Sequence, residues 1–373
     1  MHILYNIAGF YRPAGMERVL ADKANWLVGH GHRVTIVTTE QKGRPNAFPL
    51  DPRVGLIDLA IGYEDNNGAS FWSKLAGYPG RQRRHKKALE EVLASKKPDI
   101  SVSMFCNEVN LLPRIKDGSH KVLEVHFSRF KRLQYGRKGL WAVADRILSR
   151  RDAALVRKYE RFVVLTEEDK AFWGPMDTIR VIPNPVNFRP EKPAALDSRQ
   201  VIAVGRYSHQ KSFDRLVDAW SLIGDTGGWT LRLVGDGELR GELESQIGRL
   251  GLRDSVLLGR NEPDMAPVYS GASILALSSR YEGLGMVLLE SQAFGVPAVS
   301  FDCKCGPREI IKEGETGLLV PEGDVRGLAA ALEKLMKDDA LRKEMGLNAF
   351  RSAGAWRPEA IMPRWIRLFE EIL

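Results

Sequence analysis

Strand-length apolar runs alternate with helix-length amphipathic stretches along nearly the whole chain, and this alternation most limits the folds open to it. The first cycle is HILYNIA, a turn GFYRPAG, the stretch MERVLADKANWLVGHG closed by glycine, and the apolar run HRVTIVTT. Apolar residues three and four apart mark the helix, and the unbroken apolar runs mark buried strands. A strand, helix, strand order of this kind is a βαβ unit with parallel strands. KPDISVSMF, HKVLEVHF and YERFVVLT are further strand candidates. The texture changes at IPNPVNFRPEKPAALDSRQ, where four prolines fall within residues 183–193. Neither a helix interior nor a central strand accepts so many, which marks an interdomain linker. The alternation then restarts with VIAVG, FDRLVDAWSLIG, WTLRLVG, LRGELESQIGRLG, SVLLG, ASILALSS, GMVLLESQAFG and PAVSFD. A loop containing GLLVPEG, the helix DVRGLAAALEKLMKD and a last helix, RPEAIMPRWIRLFEEIL, complete it, the last expected to break or kink near Pro363.

The predicted class is therefore α/β, with two Rossmann-like doubly wound domains at residues 1–187 and 188–355. Residues 356–373 form a C-terminal helix expected to pack back on the first domain. A length of 373 residues fits two cores better than one. With 44% hydrophobic and 27% charged residues the composition is that of a folded, water-soluble protein. Cys106, Cys303 and Cys305 are too few for a disulfide framework and too poorly spaced for a zinc site, so a reducing compartment is expected. No uncharged apolar stretch reaches about 18 residues, and MHILYNIAGF has no basic leader, so neither a membrane span nor an export signal is expected.

The sharpest chemical signal is SSRYEGLGMVLLESQAFGVPAVSFD. Glu282 lies in a glycine-bearing turn after a strand, and Glu290 lies eight residues on in the following helix. Open α/β sheets bind ligands beyond the carboxyl ends of their strands, which is where this junction falls. The helix start near Leu284, Gly285 and Met286 offers unpaired N–H groups to a phosphate, and Gly283 and Gly285 let backbone approach closely. A carboxylate accepts both hydroxyls of a vicinal diol, which suits Glu290 to a ribose. The second signal is VIAVGRYSHQKSFDRLVDAW, with Arg206 directly after a strand and Lys211 five residues on. Two such cations neutralise a departing diphosphate through charge-assisted hydrogen bonds. GDGELRG is spaced G-x-G-x-x-x-G rather than as the dinucleotide fingerprint, and no two aspartates are separated by one residue, so a paired-aspartate metal site is absent. His30 and His32 lie in a helix-to-strand loop without a partner cluster.

Taken in order, GRYSHQK, LVGDGEL, SSRYEGLGMVLLES and DCKCGPREII followed by GETGLLV resemble the retaining, nucleotide-sugar-dependent glycosyltransferases of the family 4 type. The resemblance is strongest over residues 203–323 and implies the two-domain GT-B fold, with the domains facing across a cleft. SFDCKCGPREII looks most like bacterial members that add hexose or N-acetylhexosamine to capsular or lipid-linked glycans. By resemblance, Arg206 and Lys211 grip the donor diphosphate, Glu290 the ribose hydroxyls, and Glu282 with the Gly283–Met286 backbone the donor sugar. The region of Leu258, Gly259 and Arg260 holds the base. GFYRPAGMERV resembles the family's glycine-rich donor loop, with Ala14 before Gly15 where two glycines are common. VLEVHFSRF puts His126 at a strand's carboxyl end, matching the family's active-site histidine.

The resemblance thus implies a UDP-sugar donor, no metal cofactor, and a saccharide acceptor. An epimerase or hydrolase on the same fold, or a nucleotide- or nucleic-acid-binding module, are the alternatives. No RNA-binding interleaving of aromatic and basic residues occurs, so nucleic acid is not an expected partner. The charge is uneven: residues 1–190 carry 32 Lys and Arg against 20 Asp and Glu, leaving 23 against 27 for the rest. Within the basic half, RQRRHKK (Arg81–Lys87) and HFSRFKRLQYGRKGLW (His126–Trp141) combine cations with aromatic residues. That pairing suits an anionic bilayer surface. A lipid-linked acceptor and peripheral attachment at the inner face of the plasma membrane are the resulting expectations.

Overall fold

A computed structural model of the chain describes residues 1–66, 71–134 and 139–373. The chain divides into two compact units, Met1–Pro185 with Ile361–Leu373, and Val186–Ala360. The division falls two residues before the expected position, and the second unit runs to 360 rather than 355.

The first unit holds a sheet of seven strands: β1 (His2–Ile7), β2 (Arg33–Thr38), β3 (Gly55–Asp58), β4 (Ile100–Ser103), β5 (His120–Glu124), β6 (Arg161–Val164) and β7 (Ile179–Val181). Their order is β3-β2-β1-β4-β5-β6-β7, and every pairing is parallel. All six residues of β1 are buried, as a central strand covered on both faces requires. The helix Gly15–Gly29 returns the chain from β1 to β2, with Leu20, Ala24, Leu27 and Val28 turned to the core. β3 and β7 were not visible as apolar runs. They are edge strands of four and three residues, and β3 buries none of its side chains fully.

The second unit repeats the plan with β8 (Gln200–Val204), β9 (Thr230–Val234), β10 (Val256–Leu258), β11 (Ile274–Leu277), β12 (Ala298–Asp302) and β13 (Gly317–Pro321), ordered β10-β9-β8-β11-β12-β13. The GLLVP run, expected to be a loop, is instead the edge strand β13, paired in parallel with β12 from Ala298–Gly317 to Asp302–Pro321. Gly317 makes the pairing possible, since a Cβ there would lie 2.3 Å from the Ala298 carbonyl oxygen.

The last helix, Pro358–Glu370, runs through Pro363 as one element, so of the expected break or kink the break does not occur. Pro363 is its sixth residue, so only one internal N–H is lost near an end that packing holds. Ile361, Met362, Trp365, Leu368 and Phe369 recur at helical spacing and share one core with Ile3 and Tyr5 of β1 and Leu20 and Ala24. Arg364 donates to the carbonyl of Val181 at 2.7 Å. Residues 361–373 are thus built into the first unit. Among the described residues no helix is long and apolar enough to cross a membrane.

Candidate functional site

In the second unit the sheet order reverses between β8 and β11, which are direct neighbours. Loops leaving such a pair diverge to opposite faces and open a crevice at the strands' carboxyl ends. Arg206 and Lys211 follow β8, and Glu282 follows β11, so the topology brings these separated motifs to one place. Two hydrogen bonds join the loops: Arg280 N–H donates to Gln210 O at 2.9 Å, and Ser278 Oγ donates to Lys211 O at 2.9 Å.

Lys211 Nζ lies 2.8 Å from Glu282 Oε1, and Ser279 Oγ donates to the same oxygen at 2.6 Å. Glu282 is buried, whereas the Lys211 side chain keeps 17% of its surface. The lysine side chain is therefore partly open to solvent while its counter-charge is buried. The lysine stem passes close over Gly205, where a Cβ would sit 2.9 Å from Cε. Arg206, beside it, is exposed. Gly285 caps the helix Met286–Ala293 in the left-handed region, at φ 86°. That conformation turns the chain sharply after the buried Leu284 and the half-buried Gly283, at the start of the helix. Glu290, five residues in, is buried and takes a hydrogen bond of 2.5 Å from Tyr269 Oη on its Oε2. Gly259 lies against β9, its carbonyl accepting from Tyr207 Oη and Arg240, and Arg260 next to it is exposed. Cys303 and Cys305 are buried, and burial reinforced by Glu282 raises the Cys303 thiol well above its ordinary value. Cys303 is therefore not a reactive thiolate.

In the first unit Gly15 opens the helix Gly15–Gly29, is exposed, and has no atom within 4 Å of a would-be Cβ. The preceding turn is tied by Tyr11 Oη donating to Glu64 at 2.6 Å and by the Arg12–Glu64 ion pair at 2.7 Å. His126 follows β5 and is nearly buried. Its Nε2 stands 3.1 Å from Glu124 Oε1, outside straight hydrogen-bond geometry, and Asn184 Nδ2 lies 3.4 Å from Nδ1. Behind it Lys23 Nζ donates to both oxygens of Glu124, at 2.7 and 2.6 Å, with both side chains wholly shielded from water. The ammonium sits 3.5 Å from the centre of the Trp365 ring, a cation–π contact. Burial alone would raise the Glu124 carboxyl, but Lys23 and His126 outweigh it and hold it at about 2. This Lys23–Glu124 pair escaped the sequence reading: the two residues are 101 positions apart, and a lysine in an amphipathic helix reads as a solvent-facing one. Ser279 and Tyr269 escaped it as well, because only their geometry sets them apart from other core residues. Among the described residues no group of three or more His, Cys, Asp or Glu is placed to hold a metal ion.

The two basic segments are arranged in different ways. Arg81–Lys87 lies on the helix Phe71–Lys96, where Arg83, Arg84, Lys86 and Lys87 are exposed but His85 is buried, with burial pushing its imidazole down to about 4. In the second segment Arg129 lies over Trp173, Lys131 over Phe127, and Arg132 pairs with Asp152 at 2.7 Å. Phe127 packs on Phe105 and Phe130 on Phe172. Arg132 keeps 38% of its side-chain surface open to solvent, and Phe127, Phe130 and Lys131 are partly buried. Residues 135–138 of that segment, and the Trp141 side chain, lie outside the described residues. The solvent-facing stripe is instead on the next helix, Leu140–Val156, where Val143 and Ile147 are 51% and 54% exposed beside exposed Arg146, Arg150 and Arg151.

Two family models match the chain: "Glycosyltransferase Family 4" over residues 13–189 and "Glycosyl transferases group 1" over residues 186–352. The chain is 34% identical to the amylovoran biosynthesis glycosyltransferase AmsD of Erwinia amylovora, over 97% of this chain and 98% of that one. It is 31% identical, over 96% and 95%, to a Campylobacter jejuni alpha-1,4-N-acetyl-D-galactosaminyltransferase named for a diNAcBac-PP-undecaprenol-linked substrate. The solved structure of Anabaena Alr3699/HepE with UDP and glucose superposes with a TM-score of 0.75 at 17% identity, covering all of both chains. The order of strands, the switch-point loops and these matches agree, and the chain belongs to the glycosyltransferases, with a family 4 first half and a group 1 second half in the GT-B fold.

Proposed function

We propose that the protein transfers a hexose or N-acetylhexosamine from a UDP-sugar to a lipid-linked saccharide, with retention at the anomeric carbon and without a metal ion, in the assembly of a bacterial polysaccharide. One observation carries the reading: Lys211, Glu282 and the Gly285-led helix start meet at the switch point, with Arg206 adjacent. Arg206 and Lys211 offset the charge of the departing diphosphate, the work a divalent cation performs elsewhere. Glu282, fixed by Ser279 and Lys211, orients the donor sugar, and Glu290 holds the ribose. His126, by its match to the family's active-site histidine, serves the reacting sugar. The names of the Campylobacter relative and of the Anabaena complex support the acceptor and donor classes. The exposed Val143 and Ile147, set among arginines, support attachment to an anionic bilayer.

A panel of nucleotide sugars screened by thermal unfolding identifies the donor, since a ligand bound only by the folded state raises the midpoint by mass action. The selected donor is then assayed for transfer with EDTA present. Lys211→Ala and Arg206→Ala should each lower the rate by about 100-fold or more. Stabilisation by no uridine nucleotide, or a strict Mg2+ or Mn2+ requirement, would count against the reading.

A further inference from the structure

We propose that Tyr269 is a positioning residue for Glu290, and that it is the part of the second unit that makes binding depend on both ribose hydroxyls. The inference rests on the reading of Glu290 as the ribose acceptor. Tyr269 stands in the helix Ala266–Ser270, before β11, and Glu290 in the helix after it, so the bond between them spans the strand that carries the site. The tyrosine is fully buried, and its hydroxyl donates to Glu290 Oε2 at 2.5 Å. The ring cannot shift to release that bond. It stacks on Phe294 with centroids 5.6 Å apart at 21°, and Phe188 meets both rings edge-on, at 6.0 Å from Tyr269 and 5.2 Å from Phe294. A ring needed only for packing would be served by phenylalanine, because a buried hydroxyl loses its water unless it is given a partner.

The physical consequence concerns two-point recognition. A glutamate side chain has three rotatable bonds, and one hydroxyl can follow it through several orientations. Two adjacent hydroxyls meet a carboxylate together only when its plane is fixed, so the phenol's grip matters most for the diol. Loss of that grip weakens a ribonucleotide more than a 2′-deoxyribonucleotide, which makes a single hydrogen bond there either way.

Calorimetric titration of the full chain with UDP and with 2′-deoxy-UDP tests this in the wild type, Tyr269→Phe and Glu290→Gln. The wild type should prefer UDP by about tenfold or more, the worth of a hydrogen bond to a charged group. Tyr269→Phe keeps the ring packing, and should bind UDP about fivefold to tenfold more weakly with 2′-deoxy-UDP nearly unchanged. A Tyr269→Phe variant that keeps the wild-type preference, or weakens both ligands equally, overturns the positioning role. Glu290→Gln separates the two ideas. If it too leaves the preference intact, the ribose assignment falls and the inference with it. If it removes the preference while Tyr269→Phe does not, only the role of Tyr269 falls.

Discussion

Replacing Lys23 by Met removes the charge from the buried pair while keeping most of the side-chain volume, which isolates an electrostatic effect. Glu124 would then have no cation making its two bonds, and no water reaches it. Removing one partner of a buried pair costs about 3–5 kcal/mol. The carboxyl can escape part of that by taking up a proton, and this limits the penalty. Protonating a group of ordinary pKa 4.5 at pH 7 costs about 3 kcal/mol, at about 1.4 kcal/mol per pH unit. In the variant only His126 still opposes burial, the largest influence on this carboxyl, so the folded pKa of Glu124 is expected above its unfolded value. The folded state then holds the extra proton, and stability falls as pH rises. The wild type behaves oppositely: its depressed carboxyl contributes stability above 4.5 that is lost only as pH falls through about 2. The expected result is a loss of about 3 kcal/mol at pH 7 that shrinks to about 1 kcal/mol at pH 5. Lys23→Met with Glu124→Gln should recover most of it, since no uncompensated charge remains. Urea unfolding followed by tryptophan fluorescence at pH 5, 6 and 7 reads the effect, because Trp365 lies against the ammonium. A Lys23→Met protein as stable as wild type at pH 7, or one whose deficit ignores pH, refutes the reasoning.

Three further outcomes are expected. His126→Ala should slow transfer while calorimetry with UDP changes little; an unchanged rate would leave the imidazole a packing residue of the first unit. Glu108, pushed up to about 7 by burial, keeps a proton in the folded state that the unfolded chain loses near 4.5, so its contribution disappears as pH rises between those values. Glu108→Gln should therefore raise the urea midpoint at pH 8 and not at pH 5, whereas His85→Gln should raise it at pH 5 and not at pH 8, because His85 is pushed down to about 4; the same gain at both pH values in either variant would contradict this. Sedimentation with vesicles should require anionic lipid, weaken with salt, and drop on Val143→Ser with Ile147→Ser or on neutralising Arg146 and Arg150; equal recovery with neutral vesicles would remove the case for a bilayer surface.

Strands buried on both faces were legible because each is a run of apolar residues bounded by turns, as in HILYNIA or ASILALSS. β3 and β7 were not, since they are short and most of their side chains are only partly covered; β13 showed its apolar run, GLLVP, but the glycines and prolines around it read as a loop. The cations and carboxylates of the second unit could be read because each stands just past a strand, and strand order then brings them together without further information. What supports them could not. Tyr269 and Ser279 gain their meaning from one bond each, and Lys23 and Glu124 from a pairing that only the folded sheet creates. The basic half showed its charge in the sequence but not its direction. His85 sits inside the molecule within a run of exposed cations, and the stripe that faces water begins past the segment that the sequence pointed to.

The first unit is assembled from two stretches of chain that lie far apart in sequence, and this sets an order of events during synthesis. Residues 186–360 are contiguous, so the second unit can complete its core without residues 361–373. The first unit is made earlier but must wait, because Trp365 and Phe369 have yet to emerge and the face formed by Ile3, Tyr5 and Leu20 stays open to water. During that interval Lys23 lacks the ring that shields it. A nascent first half thus carries an apolar face that stays uncovered until residues 361–369 have been made.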